Sequence, residues 1–181
     1  SRAGVIANSY TFDHCGPLTW TVEDSALMMQ ALAGHDPRDP ASANVSIPDF
    51  AAALGGDLKG KRIGIVRHFY EDELPASDET KQALEAAYEV LRGLGAELED
   101  VRLRSCREYM DVKVTIAESE LYNVHEGNLR TRPSDFGSDF LGRCTPACLI
   151  TGADYVAAQR ERRVMLSEMQ QIGRASWRER V

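Results

Sequence analysis

Lys61-Arg-Ile-Gly-Ile-Val66, the run from Ser77 to Leu94, and Ala96-Glu-Leu-Glu-Asp-Val-Arg-Leu103 together decide the fold. In the first, Ile63, Ile65 and Val66 bring β-branched side chains after a glycine break, which suits a strand. In the second, Leu84, Ala87, Leu91 and Leu94 recur at three-and-four spacing behind a Ser77/Asp78 start, with Gly95 just beyond, which predicts a helix. The third alternates polar and apolar and predicts another strand. A strand, a crossover helix and a strand make a βαβ unit, so the two strands are expected to be parallel with a right-handed connection. The unit carries no nucleotide signature. After Val66 the chain runs Arg-His-Phe-Tyr-Glu-Asp-Glu, without a glycine loop to admit phosphate, and Glu71, Asp72 and Glu73 would repel it.

Upstream, Thr21-Val-Glu-Asp24 has the spacing of a helix start, and Ser25 to Ala33 is apolar nearly all round. That pattern predicts a buried helix with Met28 and Met29 as core fillers and Gly34 as a left-handed stop. His35 to Gly60 is a turn-rich connection with room for one short helix at Asp49 to Leu54. Downstream, Glu108 to Leu129 carries Met110, Val114, Ala117, Leu121, Val124 and Leu129 at mostly helical spacing and ends near Arg132-Pro133. Pro133 to Thr145 reads as loop. Ala153 to Met169 reads as a last helix with Tyr155, Ala158, Met165 and Met169 on its buried side.

The chain has 181 residues, 43% hydrophobic and 27% charged, with a net charge of −7. An acidic balance argues against a nucleic-acid partner, whose phosphates select clustered Lys and Arg. The Arg160, Arg162, Arg163 group is interspersed with Glu161 and Glu168 and reads as a solvated helix face. No apolar run approaches the roughly 20 residues of a membrane span, and the start lacks a secretory pattern. Cys15, Cys106, Cys144 and Cys148 are too sparse for a disulfide scaffold, so a reducing cytoplasm is expected. Cys144-x-x-x-Cys148 has Pro146 between its thiols and no second pair, so no metal is expected. Residues 172–181 stand apart. With free choice of codons, Gln171 to Val181 can be written as a common sequencing-adapter read with one base altered in the Trp177 codon. The segment is therefore read as an adapter-derived tail, leaving 1–171 as the natural part of the chain.

The opening block, Ser1-Arg-Ala-Gly-Val-Ile-Ala-Asn-Ser-Tyr-Thr-Phe-Asp-His-Cys-Gly-Pro-Leu-Thr-Trp through Gly34-His-Asp36, closely resembles the stretch that follows the catalytic serine in amidase signature hydrolases. Ala117-Glu-Ser-Glu120, Pro133-Ser-Asp-Phe-Gly137 and Asp154-Tyr-Val-Ala-Ala-Gln-Arg160 are similar to family segments in the same order, so the resemblance covers about 1–170. It implies an α/β architecture, part of the amidase signature fold, with a mixed sheet and surrounding helices.

The resemblance also implies an activity: hydrolysis of a carboxamide to an acid and ammonia or amine by a Ser-cisSer-Lys triad, without a cofactor. The A subunits of amidotransferases are close relatives of such an enzyme. The triad serines of the family sit in loops of the type GGSSGG and G-x-x-T-G-G-S, and neither occurs here. The lysines, Lys59, Lys61, Lys81 and Lys113, have no such loop to serve. The chain is therefore read as a carboxyl-side piece with no catalytic residue of its own, inactive alone. Its expected partners are the missing amino-terminal half of the same domain and a small amide substrate. Tyr10 to Gly16 is implied to pass near the nucleophile loop, with Phe12 and Asp13 as candidates for the substrate-pocket rim; packing and turn capping are the plain alternatives. Asp13-His14-Cys15 is not a nucleophile pair, because neighbours in an extended segment point to opposite faces. The alternative function is a non-catalytic α/β binding or assembly module.

Overall fold

β1 (Arg62–Ile65) and β2 (Glu97–Asp100) pair in parallel, with Arg62 opposite Glu97 and Ile65 opposite Asp100. The intervening α2 (Asp78–Gly93) makes the βαβ unit. This computed structural model describes residues 1–176 and side chains up to Gly173. Among the described residues the sheet has these two strands. The glycines explain the strand positions. Gly95 follows α2 at φ +95°, and a Cβ there would lie 3.4 Å from the Lys59 backbone. Gly64 lets β1 approach Val101, whose Cγ1 would lie 2.8 Å from an added Cβ.

The chain divides into two units, residues 1–56 and 57–181. In the second, α3 (Cys106–Thr131) packs along α5 (Gly152–Ser176). Ile116, Ala117, Leu121, Ala158 and Met165 supply buried apolar side chains. A full capping box starts α3: Ser105 Oγ accepts the Glu108 N–H, and the Glu108 carboxylate accepts the Ser105 N–H. Arg104 then spans to α5, donating to Glu168 at 2.6 and 2.7 Å and pairing with Glu161.

Four sequence expectations are corrected here. Residues 133–145 are mostly helical: a 3₁₀ turn at Pro133–Asp135, then α4 (Ser138–Cys144) and a further 3₁₀ turn at Thr145–Leu149. The polar composition hides an aromatic anchor, because Phe136 and Phe140 stack at 4.8 Å and both meet the edge of His125 on α3. Along α3 the buried stripe begins at Ile116, whereas Met110 and Val114 are exposed and Glu118 and Glu120 are buried. On α5, Ala158 and Met165 are buried but Met169 is exposed. Asp49 to Leu54 forms turns: Asp49 Oδ1 accepts the Ala52 N–H and Leu54 bonds back to Ala51, a side chain-capped arrangement that competes with a helix. The residues Ile172–Ser176, within the segment read as a tail, continue α5; Trp177 to Val181 lie outside the described residues.

The first unit holds α1 (Val22–Leu32), capped by Thr21 accepting the Asp24 N–H at 3.0 Å. Its expected interior placement is not observed: Ala26 is buried, whereas Leu27, Met28 and Leu32 are exposed. Within residues 1–56 it is one helix among turns, so that unit supplies no second layer for its other faces. The helix stops through Ala33 in an extended conformation, and Gly34 does not take a positive φ. No helix among the described residues is long and apolar enough to cross a membrane.

Candidate functional site

The first unit is organised by one buried carboxylate. Asp39 is 7% exposed and accepts the backbone N–H of Arg2 at 2.7 Å and that of Ala41 at 3.0 Å, while the Arg2 guanidinium reaches both its oxygens. The Arg2 N–H, then its guanidinium, hold the Asp39 carboxyl below the usual carboxylate range. The other arm of Arg2 donates to the Tyr10 carbonyl at 2.6 Å. Residues 36–42 and 8–15 are thereby tied to the opening residues. The sequence reading takes His35 to Gly60 as a turn-rich connection and misses this clamp. Asp39 lying between two turns is a signal for it, but its partner is 37 residues away.

The segment that follows is folded over buried Ser9, whose carbonyl accepts the N–H groups of Phe12 and Asp13. Asp13 Oδ2 accepts the Asn8 N–H at 2.7 Å, and His14 Nδ1 lies 2.6 Å from the Phe12 carbonyl. A cavity of about 410 Å³ opens against this wall, lined mainly by apolar atoms and bounded by Arg2, Val5, Ile6, Tyr10, Asp13 and Pro40 among others. A second, more polar cavity of about 250 Å³ lies against the same Tyr10, Asp13 and His14, together with Ser1 and Ser42. Asp13 thus caps a turn and lines both cavities. Phe12 is half-buried and is not among the lining residues of either.

In the second unit, Arg67 occupies the carboxyl ends of the parallel strands, a position where open α/β sheets take ligands. Its Nε donates to Asp100 at 2.8 Å, Nη1 pairs with Glu85 and reaches Glu71 at 3.3 Å, and the guanidinium lies 5.3 Å from the centre of the Tyr88 ring. Burial and the hydroxyl contact with Tyr88 push Tyr70 beside it up to about 12. This end of the sheet is filled by its own ion network. All four cysteines are free, with Cys144 fully buried and its thiol pushed up by burial. No group of three or more His, Cys, Asp and Glu among the described residues is placed to hold a metal.

The sheet, its crossover helix and the helices beside them make this an α/β protein. Residues 1–178 match the Amidase family, and the chain belongs to it. It is 38% identical to an amidase of Pseudomonas putida over 163 residues, which is 90% of this chain and 34% of that protein. It is 48% identical over 103 residues to the A subunit of a glutamyl-tRNA(Gln) amidotransferase of Geobacter metallireducens, covering 57% of this chain and 21% of that protein. Among solved structures, a bacterial aryl acylamidase of the amidase signature family superposes with TM-score 0.72 at 27% identity, over 87% of this chain and 34% of that one. An inhibitor-bound vestigial complex bearing on the origins of an s-triazine catabolic enzyme superposes with TM-score 0.79 at 30% identity, over 88% of this chain and 34% of that one. The chain spans about a third of the length of several of these relatives.

Proposed function

We propose that this polypeptide is the carboxyl-side part of an amide hydrolase whose Ser-cisSer-Lys triad lies upstream of Ser1, and that alone it hydrolyses no amide. The observation that carries the proposal is a family match over residues 1–178 in a sequence that contains neither Gly/Ser loop. An amide carbonyl is a poor electrophile. Its attack needs a serine, a base to take the proton, and N–H groups around the developing oxyanion. Asp13 already accepts the Asn8 N–H and supports the wall in front of the cavity, so its role is to shape the site. The partners are the amino-terminal half of the domain and a small carboxamide; neither a cofactor nor nucleic acid enters this reading. We place the whole protein in the cytoplasm.

The test compares this chain with one extended upstream through both loops, on a panel of aliphatic and aromatic carboxamides. The short chain is expected to give no turnover and the extended one to gain on the order of 10⁶-fold, the scale of losing a serine nucleophile and its base together. Turnover by the short chain, or silence of the extended one, would sink the proposal. Genomic sequence on both sides of the segment tests the upstream loops and the foreign origin of 172–181 together. A second reading, an assembly module, draws on the exposure of Leu18 and Trp20, which are 100% and 98% open to solvent. Silence of the extended chain across the panel favours it.

A further inference from the structure

The composition of α1 does not match its surroundings. No charged residue occurs from Ser25 to Gly34, although a helix that borders water carries polar and charged side chains on its outer face. Ala26 is buried and Ser25 and Met29 beside it are half-buried, which marks the inner side. The one polar side chain between Ala26 and Gly34, that of Gln30, accepts the Phe50 N–H within the unit. On the other side Leu27, Met28, Ala31 and Leu32 adjoin one another at helical spacing and are all exposed, Leu27 and Leu32 by more than half. Single apolar residues on a surface need no explanation, but a contiguous apolar strip marks a contact surface. No residue of α1 lines either cavity described above, so the strip offers a face for polypeptide and no hollow for a small molecule.

We infer that the strip of Leu27, Met28, Ala31 and Leu32 is the docking face for the missing amino-terminal half of the same domain, and that α1 is an interior helix of the whole protein. This inference rests on the reading that such a half lies upstream. The matched amidase of Pseudomonas putida continues well beyond the 34% of its length that this chain covers, so chain of the same family is available to cover the strip. A covalently attached half also meets the strip at an effective concentration on the order of millimolar, which a free partner or a second copy does not reach.

The experiment compares the 181-residue chain with the upstream-extended chain by maleimide labelling of an introduced thiol, read peptide by peptide in a mass spectrometer. Met28→Cys and, independently, Ala31→Cys report on the strip; both positions are exposed, so neither change opens a core. Buried Cys144 stays unlabelled in a folded chain and checks folding in every sample. In the short chain both reporters are expected to label rapidly at low and at high protein concentration. In the extended chain they are expected to label at least about tenfold more slowly, as thiols reached only through local opening do. Arg107→Cys, at a position 89% exposed on α3, is the control and is expected to label alike in both chains.

Rapid labelling of the strip in the extended chain would overturn the inference. Slow labelling in the short chain at every concentration would mean that the strip is already covered, and slowing only at high concentration would give it to a second copy; either overturns the inference too. Equal slowing at Arg107→Cys would remove its specificity for α1. The underlying reading fails separately. If the extended chain is silent on every amide while the strip is protected, the hydrolase reading falls and the docking face stands. If it turns over amides while the strip labels freely, the reading stands and the docking face falls.

Discussion

Residues 1–56 and residues 57–181 are held together by different physics. The first unit relies on side-chain acceptors that gather backbone N–H groups, with Asp39, Asp36 and Asp13 at its nodes and Ala26 as its buried apolar side chain. The second relies on helix packing and a parallel strand pair, with Ile116, Leu121 and Met165 buried and a full capping box at the head of α3. Polar clamps fix where a loop lies but contribute little apolar burial; a packed helix pair does the opposite. The unit that shapes the cavity is thus specified by hydrogen bonds, and the other by volume.

The largest way to break that contrast is in the second unit. Ile116 is fully buried, and Ile116→Ala is expected to lower the unfolding free energy by about 2–5 kcal/mol in urea, as large-to-small core changes do. A loss below about 1 kcal/mol would mean that the α3 and α5 contact does not behave as a close-packed core. Next comes Gly64→Ala, where the added methyl meets the Val101 branches at 2.8 and 2.9 Å; overpacking of this kind costs about 1–3 kcal/mol. Smaller again is Ser105→Ala, expected to cost about 1 kcal/mol through loss of the α3 cap. Urea unfolding of the two variants checks both values.

In the first unit the expected effect is local. Asp39→Asn should speed hydrogen exchange at the Arg2 and Ala41 amides and leave exchange in α3 unchanged. The acid dependence has a definite sign. A carboxyl held below its ordinary value stabilises the folded form above about pH 4, and that contribution is lost as pH falls through the lowered value. The wild-type amides should therefore lose protection below about pH 4 more steeply than those of Asp39→Asn, after correction for intrinsic exchange. Equal acid behaviour of the two chains would remove Asp39 as the organising group.

The two units also differ in how far the sequence discloses them. The βαβ unit is legible because its signals are local: a three-and-four period in α2, a Ser77 cap that accepts the Thr80 N–H, and a glycine at each turn into a strand. α4 is not, since the reason for a helix there is the contact of Phe136 and Phe140 with His125, which no window of neighbouring residues contains. The reading of α1 fails in the other direction. Its apolar pattern is plain, but a pattern names a surface that can be covered, and among the described residues its faces at Leu27, Met28 and Leu32 stay open. For the candidate site, Asp13 is reached through the family resemblance of the opening block. Its link to Asn8 is local, whereas Arg2 with Asp39 is a long-range pair invisible to periodicity.

Trp20 stands 98% open to water just ahead of the Thr21 cap. An indole so placed is a natural optical probe. With Trp177→Phe to leave a single indole, its emission should sit at the long-wavelength limit of a hydrated fluorophore and be readily quenched by iodide. Any polypeptide that settles over this end of α1 would shift the emission to the blue and shield it from the quencher, so assembly can be followed by light without a label and without any turnover.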